Sequence, residues 1–202
     1  MLLAALASGL LALATGCAPE AAAPQSSPSA SAPSPEESTR SPVPSASPVS
    51  FVLPTSCEQL LPIETIETTM DAEWTDAAER PDPREDLPGP AARAAASEAS
   101  ETISCLWWPE LATEVYLAGF AFRLEDSTGD RLREALDGSE SYTQAGIEGA
   151  DASFTMSELR GDLRYTVIYA FVGDLWIALE APFFEEDITA LAEAIVAGIR
   201  TD

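Results

Sequence analysis

The sequence contains no histidine, no lysine and no asparagine, so its ten basic residues are all arginine. Without histidine a Ser/His/Asp triad cannot form, and the most common general base and metal ligand of proteins is absent. Zinc would have only carboxylates and cysteine sulfur as ligands. We therefore predict that the protein has no metal site, no cofactor and no enzymatic activity.

Positive charge is scarce as well. The chain carries 34 acidic residues against 10 basic ones, which gives a formal net charge of -24. A charge of this sign and size repels nucleic acid and anionic lipid surfaces. The balance excludes nucleic-acid binding, and it predicts that any attachment to a membrane comes from an anchor and not from electrostatic adsorption.

The chain begins with an uncharged apolar run over residues 2–14. This run is shorter than the ~20 apolar residues that cross a bilayer as a helix. Its length and the small residues at its end are typical of a secretory signal. We predict that residues 1–16 are a signal peptide, whereas an uncleaved membrane helix would need a longer run.

The residues that end this run are Ala14-Thr15-Gly16-Cys17. They resemble the lipobox of bacterial lipoproteins, in which small residues precede a cysteine. The resemblance implies that Cys17 is lipidated with a diacylglycerol and becomes the first residue of the mature chain on the outer face of the cell membrane. Two acyl chains are sufficient for stable anchoring. The alternative is an ordinary secretory signal in which Cys17 is incidental.

Residues 17–50 are rich in Pro, Ser and Ala and have few charges. A segment of this composition cannot build a packed core, so we predict that it is disordered. Frequent proline favours extended polyproline II geometry. We interpret this segment as a stalk that lifts a globular domain, residues 51–202, away from the lipid surface.

Two cysteines remain once Cys17 is assigned to lipid. In an exported, oxidising setting a leftover pair most often forms a disulfide, which here would join Cys57 to Cys105. The alternative is two free buried thiols. The bond would hold a short N-terminal helix against the first strand of the domain.

The apolar periodicity of residues 51–202 predicts an α+β fold. Ser56 and Gln59 form a capping-box pattern before a short helix, and Pro62 suits the first turn of a second helical segment that buries Ile63, Ile66 and Met70. A further helix is predicted over residues 128–136, with Ser127 and Asp130 as its capping box. Spacing of i, i+3 and i+4 predicts an amphipathic helix over 185–199, which covers one face of an antiparallel sheet. Alternating or continuous apolar runs predict about five strands, over 104–108, 114–124, 152–156, 163–172 and 175–181.

Residues 71–100 are acidic and are interrupted by four prolines. This composition predicts a long surface excursion, with a short helix in the Ala-rich piece over 91–99. A solvated acidic face explains its carboxylates, and capture of a cation or cationic ligand is the alternative. The carboxylates concerned are Asp71, Glu73, Asp76, Glu79, Asp82, Glu85 and Asp86.

The domain resembles a group of small actinobacterial cell-envelope lipoproteins that have a lipobox, a Pro/Ser-rich stalk and a disulfide-containing domain of unknown function. The residues that carry this resemblance are Ser56-Cys57-Glu58-Gln59-Leu60-Leu61-Pro62 and Cys105-Leu106-Trp107, followed by a strand-rich half and a C-terminal amphipathic helix. The resemblance implies a location and a disulfide, but it implies no activity.

Aromatic residues are the best candidates for a recognition surface. Trp107 and Trp108 face opposite sides of a strand, so both can pack into the fold. The alternative leaves Trp108 or the pair Phe183 and Phe184 exposed as a docking patch. Our leading hypothesis is a non-enzymatic module that binds or scaffolds an unknown envelope protein or small ligand. A carboxylate-dependent envelope hydrolase is the second hypothesis.

Overall fold

The computed structural model describes residues 51–79, 87–111, 115–183 and 185–201. The signal peptide, Cys17, the stalk and Phe184 lie outside the described residues. The described strands form one antiparallel sheet in the order β1-β2-β3-β7-β6-β5-β4. Their bounds are β1 Trp74–Glu79, β2 Glu101–Pro109, β3 Leu117–Arg123, β4 Thr143–Gln144, β5 Ala152–Arg160, β6 Leu163–Val172 and β7 Leu175–Ala181. The helices are α1 Cys57–Leu60, α2 Ile63–Met70, α3 Pro90–Glu98, α4 Asp126–Asp137 and α5 Glu185–Thr201.

The predicted α+β fold is confirmed, with seven strands in place of about five. The two additional strands lie at the two edges of the sheet. β1 falls inside the segment that we expected to be irregular, so that part of the prediction is wrong. Its sequence, WTDAAE, has no apolar alternation, and it becomes a strand because its backbone pairs with β2. β4 has only two residues and pairs with the middle of β5.

One face of the sheet packs against α1, α2 and α5. The predicted C-terminal helix is α5, and its buried residues include Ile188, Leu191 and Ile195. They share a core with Ile66 of α2 and with apolar residues of the central strands. The acidic first turn of α5, residues 185–187, lies at the positive end of the helix dipole.

The opposite face packs against α3 and α4, a layer that the sequence did not predict. The core there contains a row of aromatic side chains, of which Phe122 and Trp176 stack with ring centroids 4.5 Å apart. Because α3 contributes only alanines to this core, Ala92, Ala95 and Ala96, its backbone can pack closely against α4. The sheet is therefore buried on both faces, which explains why its central strands are mostly apolar on both faces.

The helix starts were predicted with mixed success. Ser56 caps α1 and accepts a hydrogen bond from the Gln59 N–H, as predicted. The helix predicted over 128–136 is α4, and it begins earlier, at Asp126. Its N-cap is Glu125, which makes no side-chain hydrogen bond, so the prediction of Ser127 as N-cap is wrong. Tertiary contact determines this start, because the buried Thr128 hydroxyl donates to Glu98 of α3 at 2.8 Å.

The predicted disulfide between Cys57 and Cys105 is confirmed, with the two Cα atoms 5.6 Å apart. It joins α1 to β2 in the core beneath α5. Trp107 is buried in the same core and lies directly over Gly119 of β3. A Cβ at Gly119 would lie 2.7 Å from Cζ3 of Trp107, so this contact requires glycine.

Candidate functional site

The two alternative docking candidates that the structure describes, Trp108 and Phe183, lie on different faces of the sheet. Trp108 is half-buried near the end of β2, and by strand alternation it shares the α3/α4 face with Leu106. Phe183 is half-buried against the core beneath α5, where its ring makes an edge-to-face contact with Trp74 at 5.6 Å. The structure therefore does not bring Trp108 and Phe183 together, and their part in recognition stays a prediction.

A buried ion pair lies on the α3/α4 face, at the C-terminal end of β7. Glu180 is only 2% exposed, although every other residue of this strand is apolar. Both of its carboxylate oxygens accept hydrogen bonds from Arg160 of β5, one of them at 2.9 Å from Nη2. The sequence analysis missed this pair. The available signal was a lone acidic residue at a buried position in an otherwise apolar strand.

Arg160 connects three further side chains to this pair. Its Nε donates to Glu158 at 2.5 Å, and its guanidinium lies 4.8 Å from the ring centroid of Tyr165. Tyr165 in turn packs against Tyr116 at 6.3 Å. Burial acts to lower the pKa of Arg160, but the hydrogen bond and attraction to Glu180, and then those to Glu158, raise it overall. Arg160 is therefore permanently charged. Bidentate contact of this kind is a geometry that only arginine supplies.

Two tyrosines stack beside this cluster. The rings of Tyr142 and Tyr169 lie 5.6 Å apart, and both hydroxyls donate to the carbonyl oxygen of Pro88, at 3.3 and 3.5 Å. Burial raises the pKa of both phenols, more strongly for Tyr169. Both groups therefore stay neutral over the physiological range. They tie the loop before α3 to β6, and neither is a candidate for proton transfer.

We call Glu158, Arg160, Tyr165 and Glu180, with Tyr116 at their border, the Glu180 cluster. Its hydrogen bonds determine the chemistry that is available to it. Glu158 and Glu180 both accept hydrogen bonds from the same guanidinium, which commits both carboxylates to Arg160. A glycosidase instead needs one protonated and one free carboxylate on either side of the scissile bond. The cluster joins the ends of β5, β6 and β7. We interpret it as a structural cluster that holds these strand ends together, with Tyr116 packed beside Tyr165 at its border.

A second feature lies at the opposite end of the sheet, where the described chain begins. The backbone of Phe51 is held on both sides: its N–H donates to Asp174 at 3.4 Å, and its carbonyl accepts from Arg123 at 3.0 Å. Arg123 also donates to Glu101 at 2.8 Å, and this bond, with those to Asp174, raises its pKa. The guanidinium of Arg200 lies 5.3 Å from the Phe51 ring centroid. We call this arrangement the Phe51 clamp.

The Phe51 clamp borders a groove of about 660 Å³. This volume is within the range of small-molecule sites. Four carboxylates and two guanidinium groups line the groove, so acidic groups are in excess. The lining residues are Phe51, Ser100, Arg123, Leu124, Glu125, Asp126, Asp151, Gly173, Asp174 and Arg200. A positively charged ligand would meet a favourable field in this groove.

The described residues offer little to a metal ion. Within the described ranges, no group of three or more His, Cys, Asp or Glu side chains is arranged to hold one. Asp82, Glu85 and Asp86 of the acidic segment lie outside those ranges, so cation capture by residues 71–100 stays a prediction. The window 126–137, which faintly resembles a calcium loop in sequence, is helix α4. Among the described helices, none is both long and apolar enough to cross a bilayer.

No protein family matches the chain, and neither a curated protein nor a solved structure matches it. The resemblance to actinobacterial envelope lipoproteins therefore rests on the sequence motifs alone.

Proposed function

We propose that the protein is a lipoprotein, anchored through Cys17 on the outer face of the cell membrane, whose domain is a non-enzymatic binding or scaffolding module of the cell envelope. The observation that carries this proposal is the disulfide between Cys57 and Cys105. Disulfides persist in oxidising compartments and are rare in the cytosol. The bond agrees with export, which the apolar run and the residues around Cys17 predict independently.

The position of the Phe51 clamp supports the same proposal. The chain enters the domain at the β6–β7 turn, beside Asp174. The Glu180 cluster and its tyrosines lie toward the other end of β7, five residues beyond Leu175 and so about 17 Å away. A tether that precedes Phe51 would therefore attach to the domain at the end of the sheet opposite the Glu180 cluster.

Anchoring is tested by expressing the full chain in a bacterial host of high-GC genome and comparing it with a Cys17→Ala variant. We expect the wild-type chain in the membrane fraction, with a diacylglycerol mass on Cys17, and the variant in the soluble fraction. Replacement of Cys57 and Cys105 is the matched control, because it removes two other cysteines and leaves the anchor in place. An unmodified Cys17 in membrane-extracted protein would contradict the proposal.

Binding is proposed for the groove beside the Phe51 clamp, with a small cationic ligand as occupant. The support is its excess of carboxylates in a cavity of suitable volume. Spermidine is a suitable probe for titration calorimetry and for chemical-shift mapping. We expect binding that weakens with salt and with Asp126→Asn, whereas Asp162→Asn at the exposed β5–β6 turn leaves it unchanged. Absence of heat, or equal loss in both variants, would rule the groove out.

A further inference from the structure

The outer edge of β5 is the feature that carries a further inference. β5 pairs with β6 along all nine of its residues, but on its other side β4 covers only Phe154 and Thr155. The Ala145 N–H donates to the carbonyl of Ser153, so the backbone of Ser153 points toward β4. Backbone groups alternate along a strand, and those of Ser157 and Leu159 therefore point outward too. Among the described residues, no strand pairs with them there.

The side chains at this edge divide between the two faces of the sheet. Leu159 is 67% exposed, which is unusual for a leucine on an unpaired strand edge. Glu158 and Arg160 lie on the other face, where they contact each other and Tyr165. Edge strands are usually protected by charges, proline or a covering element. Here the charges turn onto one face and leave Leu159 exposed at the edge.

We propose that this edge pairs with the same edge of a second copy of the chain, antiparallel about a two-fold axis through Leu159. In this register the two Leu159 residues form a hydrogen-bonded pair, because their backbone groups point outward. Glu158 then faces Arg160 of the second copy, and Arg160 faces Glu158 of the second copy, as adjacent non-hydrogen-bonded pairs. Each arginine keeps its own Glu158 and Glu180 and gains a third carboxylate.

The choice of a second copy follows from charge complementarity. In an isologous contact a strand pairs with an identical strand that runs in the opposite direction. Its sequence must therefore be complementary to the same sequence read in reverse. The segment Glu158-Leu159-Arg160 meets this condition, since reversal places glutamate opposite arginine and leucine opposite leucine. Four alternating charges then form a square on one face, and the two leucines cover each other on the other face. Cross-strand pairs of opposite charge stabilise antiparallel sheets.

The contact is short, so the expected dimer is transient. Pairing of about five residues per chain buries less than the ~1,000 Å² of a stable interface. We expect a monomer–dimer equilibrium visible at protein concentrations of roughly 0.1–1 mM. The inference concerns the domain alone, and it can be tested on chain that carries no lipid. Its failure would leave the proposed anchoring untouched.

The test compares two cysteine variants of the full chain, Leu159→Cys and Ser157→Cys, both in a Cys17→Ser background. Under mild oxidation Leu159→Cys should yield a disulfide-linked dimer, because a hydrogen-bonded pair places its Cα atoms about 5.5 Å apart. Ser157→Cys is the matched control on the same face. The proposed axis separates the two Ser157 residues by four positions, or about 13 Å, so it should not cross-link. Equal cross-linking of the two variants would overturn the register.

A second variant tests the pairing without a new bond. Leu159→Pro removes an N–H that points away from β6, so the β5–β6 ladder keeps all its hydrogen bonds. Sedimentation velocity should show the concentration-dependent dimer for the wild-type chain and only monomer for Leu159→Pro, with unchanged circular dichroism. A wild-type chain that stays monomeric at 1 mM by this measurement (roughly the top of the expected range) overturns the proposal. If Leu159→Pro unfolds, the pair of cysteine variants still decides it.

Discussion

Removal of the disulfide is the perturbation whose outcome can be worked out most fully. The bond closes a loop across 48 positions of sequence, and this loop contains α2, β1 and α3. For a loop of that length, the chain-entropy relation gives a stabilisation of about 4 kcal/mol through the unfolded state. A change of that size should lower the melting temperature of a domain of this length by roughly 8–16 °C.

The assay is urea denaturation of a Cys57→Ala/Cys105→Ala double variant beside the wild type. We expect the free energy of unfolding to fall by about 4 kcal/mol. The denaturant slope should rise as well, because an unfolded chain without the cross-link exposes more surface. Cys17→Ala is the matched control and should change neither quantity. A loss below ~1 kcal/mol with an unchanged slope would refute the loop-closure reasoning, since it would mean that the packed core alone fixes α1 against β2.

Three further predictions test particular contacts. Gly119→Ala should lower the free energy of unfolding by about 1–3 kcal/mol, because the new Cβ would lie 2.7 Å from a ring carbon of Trp107. Chemical denaturation measures this change, and a loss near zero would contradict the described packing. Burial raises the pKa of Tyr142 and Tyr169 above 10. The unfolded chain therefore loses its phenolic protons at lower pH than the folded chain, and stability should fall as pH rises above about 10. Ultraviolet absorbance should show both phenols ionising at higher pH in the folded chain than in the unfolded one. Asp174→Asn should lower the free energy of unfolding by about 1 kcal/mol and speed hydrogen exchange in residues 51–53, whereas Asp162→Asn should do neither.

Much of the fold could be predicted from the sequence wherever burial requires a regular spacing of apolar residues. The predicted bounds of β6 and β7 agree with the structure, and α5 begins at the predicted Glu185. These elements are long and strongly apolar on the faces that they bury. The disulfide was predictable because only two cysteines remain once Cys17 is set aside, and the predicted export of the chain favours their oxidation.

The remainder depends on contacts that leave little trace in a local pattern. β1 is a strand only because β2 lies beside it, and the start of α4 depends on the contact of Thr128 with α3. The Glu180 pair joins residues 20 positions apart, and nothing in the local pattern indicates that Arg160 is the partner of Glu180. The Phe51 clamp similarly brings together residues from five separate segments of the chain. Apart from the lone acid in the apolar strand β7, a sequence with so many acidic residues gives little indication of which ones are buried.

The covalent bond between α1 and β2 also has a mechanical consequence. A force that pulls on the chain ahead of Phe51 would first break the few hydrogen bonds that hold this residue. The next point of resistance is Cys57, from which tension passes through sulfur to Cys105 in a strand flanked by β1 and β3. The load thus enters the interior of the sheet, and the elements between the two cysteines are bypassed. They would stay folded under a pull that would otherwise peel them away one after another.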